Sequence, residues 1–175
     1  MRIERATVGD LPRIEMLYRE TVEAMHGTPE DIEWDMSWHP TPAGLARRVA
    51  AGELFQGACD DGSLAGAFVL NGEQAPAYAA VPWPHPAAPA EVAVLHLLAV
   101  SPRRRGRGIG RLLVEGAIEA AQSGGFRVLR LDVLANNVPA VGLYRVCGML
   151  DLGPRDMEVA PGFVRRAHAM EMALA

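Results

Sequence analysis

The stretch Val100-Ser101-Pro102-Arg103-Arg104-Arg105-Gly106-Arg107-Gly108-Ile109-Gly110 decides the reading of this chain. It follows an apolar run from Glu91 to Val100 that reads as a strand. It precedes Arg111-Leu112-Leu113-Val114-Glu115-Gly116-Ala117-Ile118-Glu119-Ala120-Ala121, which reads as a helix. A turn rich in glycine and arginine between a strand and a helix N-terminus suits an anion, because unpaired backbone N–H groups and the positive end of the helix dipole converge there. Glycine lets the backbone approach a phosphate closely, and arginine neutralises its charge.

Spacing excludes two common phosphate loops. A Walker loop needs Lys-Ser or Lys-Thr after the second glycine, whereas Gly110 is followed by Arg111 and Leu112. A dinucleotide fingerprint starting at Gly106 and Gly108 requires glycine at position 111, where arginine stands. The pattern that does fit is Arg105-x-x-Gly108-x-Gly110 directly after Leu98-Ala99-Val100. It resembles the R/Q-x-x-G-x-G/A acyl-CoA pyrophosphate loop of the GNAT N-acetyltransferase superfamily. The plain alternative is an arginine-rich solvated turn.

Working outward, Arg2 to Ala6 reads as a strand, and Asp10 stands where it could cap a helix with apolar positions Leu11, Ile14, Leu17, Tyr18, Val22 and Met25. Thr41-Pro42 starts a second helix that ends near Gly52. Leu54 to Cys59 and Leu64 to Leu70 flank the turn Asp60-Asp61-Gly62-Ser63 as a hairpin. Asn71 to Ala90, with five prolines, reads as a loop. After the central strand and helix, Phe126 to Leu134 is a strand, and Asn137 caps a helix from Val138 to Val146 with Pro139 in its first turn. Asp156 to Val159 and Arg166 to Ala173 read as two last strands. The order β-α-α-β-β-β-α-β-α-β-β is an α/β arrangement, a mixed central sheet flanked by helices. Residues 1–175 are read as a single domain.

That order is also the superfamily's order, and a second motif joins it. Leu131-Asp132-Val133-Leu134-Ala135-Asn136-Asn137-Val138-Pro139-Ala140-Val141-Gly142-Leu143-Tyr144, followed by Gly148, resembles the superfamily's L-x-V-x-x-x-N-x-x-A-x-x-L-Y-x-x-x-G segment. Its distance from Gly110 suits one helix plus one strand. Met149 departs from the pattern, standing where an aromatic usually follows the glycine.

Composition bounds the partners. A net charge of −4 on 175 residues argues against a general nucleic-acid binder, so the arginine cluster is a local positive spot suited to a small anion. The two cysteines, Cys59 and Cys147, lie in no metal-ligand or redox spacing, and no metal is expected. No apolar stretch reaches membrane-spanning length and the N-terminus lacks a signal-peptide core, so a cytoplasmic protein with no membrane partner is expected.

The resemblance implies an acetyl-CoA-dependent N-acetyltransferase that moves an acetyl group directly to a primary amine of a small molecule. Acetylation of a protein lysine or N-terminus, and a non-catalytic acyl-CoA-binding module, are the alternatives. The backbone of Arg105, Gly106, Arg107, Gly108, Ile109, Gly110 and Arg111 would hold the pyrophosphate. Leu98, Ala99 and Val100 would meet the pantetheine arm. Tyr144 aligns with the tyrosine that protonates the departing sulfur, a role that suits a phenol protonated at neutral pH. Asn137 would touch the cofactor or only cap its helix.

His96, on the strand face of Val94, Leu98 and Val100 by period-2 alternation, is the first candidate base, because imidazole accepts a proton near neutral pH. Glu91, at the strand's outer end, competes with it, as does a water chain. Trp34, Trp38, Tyr78 and Trp83 lie with His39 and His85 on two irregular segments, where aromatics form ligand walls or tie the loops down. A homodimer is possible by resemblance.

Overall fold

The computed structural model describes residues 1–160 and 162–175. Its elements are β1 (Arg2–Arg5), α1 (Leu11–Met25), α2 (Pro42–Ala50), β2 (Leu54–Ala58), β3 (Leu64–Asn71) and β4 (Val92–Val100). Then come α3 (Ile109–Ser123), β5 (Val128–Leu134), α4 (Val138–Val146), β6 (Leu150–Ala160) and β7 (Phe163–Ala173). This is the order expected from the sequence. Among the described residues the sheet has seven strands, ordered β1-β2-β3-β4-β5-β7-β6. β4 and β5 run parallel, with Val92–Val94 opposite Val128–Arg130, while β1–β2, β2–β3, β5–β7 and β6–β7 pair antiparallel. The sheet is therefore mixed.

The chain forms two compact units, one of residues 1–70 and 96–117, the other of residues 71–95 and 118–175. In the first, the helical spacing of Ile14, Leu17 and Tyr18 turns one face of α1 inward. That face packs with Leu45 and Val49 of α2 on Leu54, Ala67, Val69 and Ala99. Each fully buried leucine or isoleucine there contributes about 1.5–3 kcal/mol. Two glycines explain how closely the layers approach. A Cβ on Gly66 would sit 2.5 Å from the Ala99 carbonyl oxygen and from Leu113 Cδ1, and one on Gly116 would sit 2.7 Å from Ile3 Cγ1.

In the second unit, Tyr78, Val81, Val92, Val94, Met157, Ala167 and Ala169 form the core. An ion pair is buried beside it: Arg130 Nε donates to Glu171 Oε1 at 3.0 Å, and Glu171 is fully buried. The same arginine donates to Gln74 Oε1 and to the His85 carbonyl and lies 4.4 Å over the Trp83 ring. Glu171 accepts in turn from the His85 backbone N–H. The proline-rich segment 71–90 is thus anchored by charge as well as by apolar contact.

Several boundaries differ from the sequence reading, each for a local reason. Asp10 does not cap α1; its carboxylate accepts from the Thr7 N–H and hydroxyl and closes a short 3-10 turn, Val8–Asp10. The segment 71–90 is not wholly loop, since Pro76–Ala80 and Pro89–Glu91 are 3-10 turns and β3 reaches Asn71. Glu91 consequently precedes β4 rather than starting it. β6 and β7 begin earlier than expected. Gly153-Pro154 looks like a break, yet it sits at a register shift between Asp151 and Pro154 on an edge strand, where a bulge tolerates both residues.

Candidate functional site

The turn after β4 is shaped for an anion. Ser101 leads into a 3-10 turn, Pro102–Arg104, and α3 opens at Ile109. Gly106 and Gly108 have φ of 74° and 75°, the left-handed region that glycine enters without steric cost. A Cβ on either would meet nothing within 4 Å, so no neighbouring protein atom crowds these positions. The requirement is backbone curvature and an open outer side.

That curvature leaves donors free. None of the backbone N–H groups from Arg105 to Gly110 donates to a described residue, and the first internal bond of the helix runs from Leu112 N–H to the Gly108 carbonyl at 3.2 Å. Orphan donors at the start of α3 add the helix dipole to the same place. Among the described residues the Arg105 and Arg107 guanidinium groups have no ion pair or hydrogen bond. Arg111 differs, its Nε donating to Glu115 at 2.7 Å. Two uncommitted cations and a row of unpaired N–H groups can bind a pyrophosphate.

Upstream, β4 is irregular. Leu97 has φ 52°, a left-handed conformation that a leucine adopts only under constraint. Extrapolating side-chain alternation from Val94 through Leu97 to Leu98 and Val100 therefore fails, because one residue in the left-handed region breaks the period of two. His96 is half-buried, as are Leu98 and Val100, while Ala99 is buried in the core of its unit. The constraint on Leu97 is visible: Tyr18, fully buried in α1, donates its hydroxyl to the Leu97 carbonyl at 2.7 Å. Burial holds this phenol well above its ordinary pKa, so it remains a donor. Sequence reasoning placed Tyr18 only in the core; its signal was that a buried tyrosine needs a hydroxyl partner.

His39 belongs to the same unit as His96. Crowding of its imidazole lowers its pKa below the usual 6.5, and the nearby charges of His96 and Arg48 lower it further. Trp34 packs on Tyr18 with ring centroids 5.8 Å apart, whereas Trp38 is exposed beside His39.

The second unit holds the remaining candidates. Tyr144, on α4, is buried, and its hydroxyl bonds to no described residue. Burial raises its pKa well above 10, and the Asp132 carboxylate adds to the rise. The phenol is protonated throughout the neutral range. Asn137 caps α4, accepting from the Ala140 N–H at 3.3 Å. Tyr78 donates to Asp132 Oδ1 at 2.8 Å, and Trp83 stands edge-on to Tyr78 and donates its indole N–H to the Tyr78 carbonyl at 3.0 Å. Both aromatics tie down the segment that carries them. Glu91 is engaged locally: its carboxylate accepts from the Ala88 N–H at 2.8 Å and from Arg127 at 3.1 Å. The Ala88 bond, then the Arg127 bond, lower its pKa, which weakens it as a base.

Comparison with known proteins agrees with this fold. The profile described as Acetyltransferase (GNAT) family matches residues 12–149. An uncharacterised N-acetyltransferase of Methanocaldococcus jannaschii is 40% identical over 75 residues, 43% of this chain and 31% of that protein. The matched stretch thus spans about a third of that relative's length. A GNAT-family acetyltransferase structure from Streptococcus agalactiae superposes with a TM-score of 0.83 at 20% identity, covering 98% of this chain and 94% of the other. A phosphinothricin acetyltransferase from Sinorhizobium meliloti, solved in complex with acetyl-CoA, gives 0.71 at 19% identity, covering 99% and 88%. With its profile match, its strand order and its glycine-arginine turn ahead of α3, this chain belongs to the acetyltransferase (GNAT) family.

Proposed function

We propose that the protein is an N-acetyltransferase that transfers the acetyl group of acetyl-CoA directly to a primary amine of a small molecule. The observation that carries this reading is the run of unpaired N–H groups from Arg105 to Gly110, with Gly106 and Gly108 open on their outer side. The residues present fit the donor. The turn and the free Arg105 and Arg107 would grip the pyrophosphate, and the backbone of Leu98, Ala99 and Val100, just after the irregular Leu97, would meet the pantetheine arm. Acetyl-CoA supplies the activated thioester, which leaves the protein to position and to move protons.

His96 takes a proton from the attacking amine. Tyr144, protonated and without a described partner for its hydroxyl, supplies the proton that a departing thiolate needs. Trp34 and Trp38 supply aromatic surface for the acceptor. Both cysteines are free thiols, which suits a cytoplasmic setting.

The test is release of free thiol from acetyl-CoA in the presence of a panel of primary amines. Turnover with a small amine supports the reading. Tight acetyl-CoA binding with no turnover on any amine or peptide replaces it with a binding module.

A further inference from the structure

A cavity of about 400 Å³ opens within the first unit, between α1, the turn joining β2 to β3, and the segment 101–107. Four arginines line it, Arg13, Arg103, Arg104 and Arg107, against one carboxylate, Glu20. Met16, Leu17 and Leu64 complete it with apolar surface. An arginine-rich lining with an apolar side is unexpected on a chain whose net charge is −4.

The lining is incompletely satisfied. Arg13 donates to Asp10, Gln56 and the Gly62 carbonyl through its terminal nitrogens, yet its buried Nε has no hydrogen-bond partner among the described residues. Ser101 is buried, and its hydroxyl bonds to no described residue. Arg107 has no ion pair or hydrogen bond among them either. A buried donor without a partner, such as Arg13 Nε, costs about 1–3 kcal/mol, while the exposed Arg107 guanidinium offers its donors to an acceptor-rich guest. The remaining cations are paired near the surface. Arg103 meets Glu20 at 2.7 Å with its own side chain 79% exposed, and Arg104 donates to the Ser63 hydroxyl and reaches exposed Asp61 at 3.4 Å. Surface pairs of this kind contribute about 0–1 kcal/mol, so a dianion can displace them.

We propose that this cavity, which adjoins the pyrophosphate turn and shares Arg107 with it, is a second anion site built on Arg13, Arg103 and Arg104 that takes a small phosphomonoester with an apolar body. Guanidinium groups match the paired oxygens of phosphate, and Met16, Leu17 and Leu64 accept the apolar portion. A volume of about 400 Å³ accommodates such a molecule rather than a bare ion.

Calorimetric titration of the full chain with phenyl phosphate tests the site without reference to turnover, so its outcome is separate from that of the acetyl-transfer reading. The expected result is one bound phenyl phosphate per chain, with and without saturating coenzyme A, and binding at least tenfold weaker in Arg104→Gln. Met16→Glu, which places a carboxylate at an exposed position of the wall, gives the same loss with unchanged thermal stability. Three results would each overturn the proposal: no binding at millimolar phenyl phosphate, displacement by coenzyme A, or binding that neither variant weakens.

Discussion

The Tyr18 hydroxyl donates to the carbonyl of Leu97 at 2.7 Å, and Leu97 is the strand residue held at φ 52°. One buried phenol on α1 thus fixes the irregular point of β4, immediately after His96 and before Leu98. A left-handed leucine costs about 1–3 kcal/mol and persists only when its surroundings over-determine it. Removing the bond relaxes the strand where the donor's arm is expected to lie.

Tyr18→Phe keeps the ring and deletes the hydroxyl. We expect a stability loss of about 1–2 kcal/mol, the contribution of a buried hydrogen bond. We also expect acetyl transfer to fall about tenfold, the rate equivalent of 1.4 kcal/mol. Denaturation and steady-state rates measured on the same preparation check both; an unchanged rate would make Tyr18 a packing residue only.

Tyr144→Phe separates proton donation from binding. With the wild-type phenol protonated and without a described partner, the variant should lose about 100-fold in kcat, the lower range for general acid catalysis. Acetyl-CoA affinity should stay within about twofold, because in the proposed mechanism the lost hydroxyl serves the leaving thiolate rather than binding. A wild-type kcat would remove Tyr144 from the chemistry.

Glu171→Gln tests the buried anchor of the proline-rich segment. It leaves Arg130 without its charged partner in a dry site, and breaking a buried pair of this kind costs about 3–5 kcal/mol. Chemical denaturation should show that loss, and a change of less than about 1 kcal/mol would mean that Gln74 and the His85 carbonyl satisfy Arg130 without it.

Asp151 sets an acid limit on stability. Burial alone would raise its pKa, but hydrogen bonds from His168, the Gly153 N–H and Arg145 outweigh burial and hold it below 3.8. A carboxylate depressed in the folded state contributes stability above its unfolded pKa and loses it as pH falls through the lower folded value. Wild type should therefore lose stability below about pH 4. Asp151→Asn should cost about 2 kcal/mol at neutral pH and flatten that acid slope. Thermal unfolding from pH 3 to pH 7 reads both effects.

Legibility in the sequence followed the range of the forces involved. Helix faces and the Asn137 cap were readable because spacing and capping are local, with Asn137 accepting from the Ala140 N–H and Thr41, at the start of α2, from the Gly44 N–H; Asp10, which bonds to Thr7 instead, was not. The turn from Arg105 to Gly110 was readable because its glycines act through backbone conformation. The Tyr18–Leu97 bond was not, since its partners lie 79 positions apart and nothing near Leu97 announces a left-handed residue. Tyr78 and Trp83 looked equally like ligand walls or anchors until Asp132 and Arg130, far along the chain, were seen to hold them. The extra length of β6 was hidden because Gly153-Pro154 signals a break wherever an edge-strand bulge is not already known.

The central claim is that the turn from Arg105 to Gly110 grips the donor's pyrophosphate, and acetyl-CoA titration of Gly108→Val tests it most directly. Valine cannot adopt φ near 75° without strain, and it fills the space a phosphate needs, while the position touches no neighbouring side chain. The account predicts acetyl-CoA affinity at least about 100-fold weaker in a folded variant, equivalent to about 2.7 kcal/mol. Wild-type affinity in that variant would contradict it.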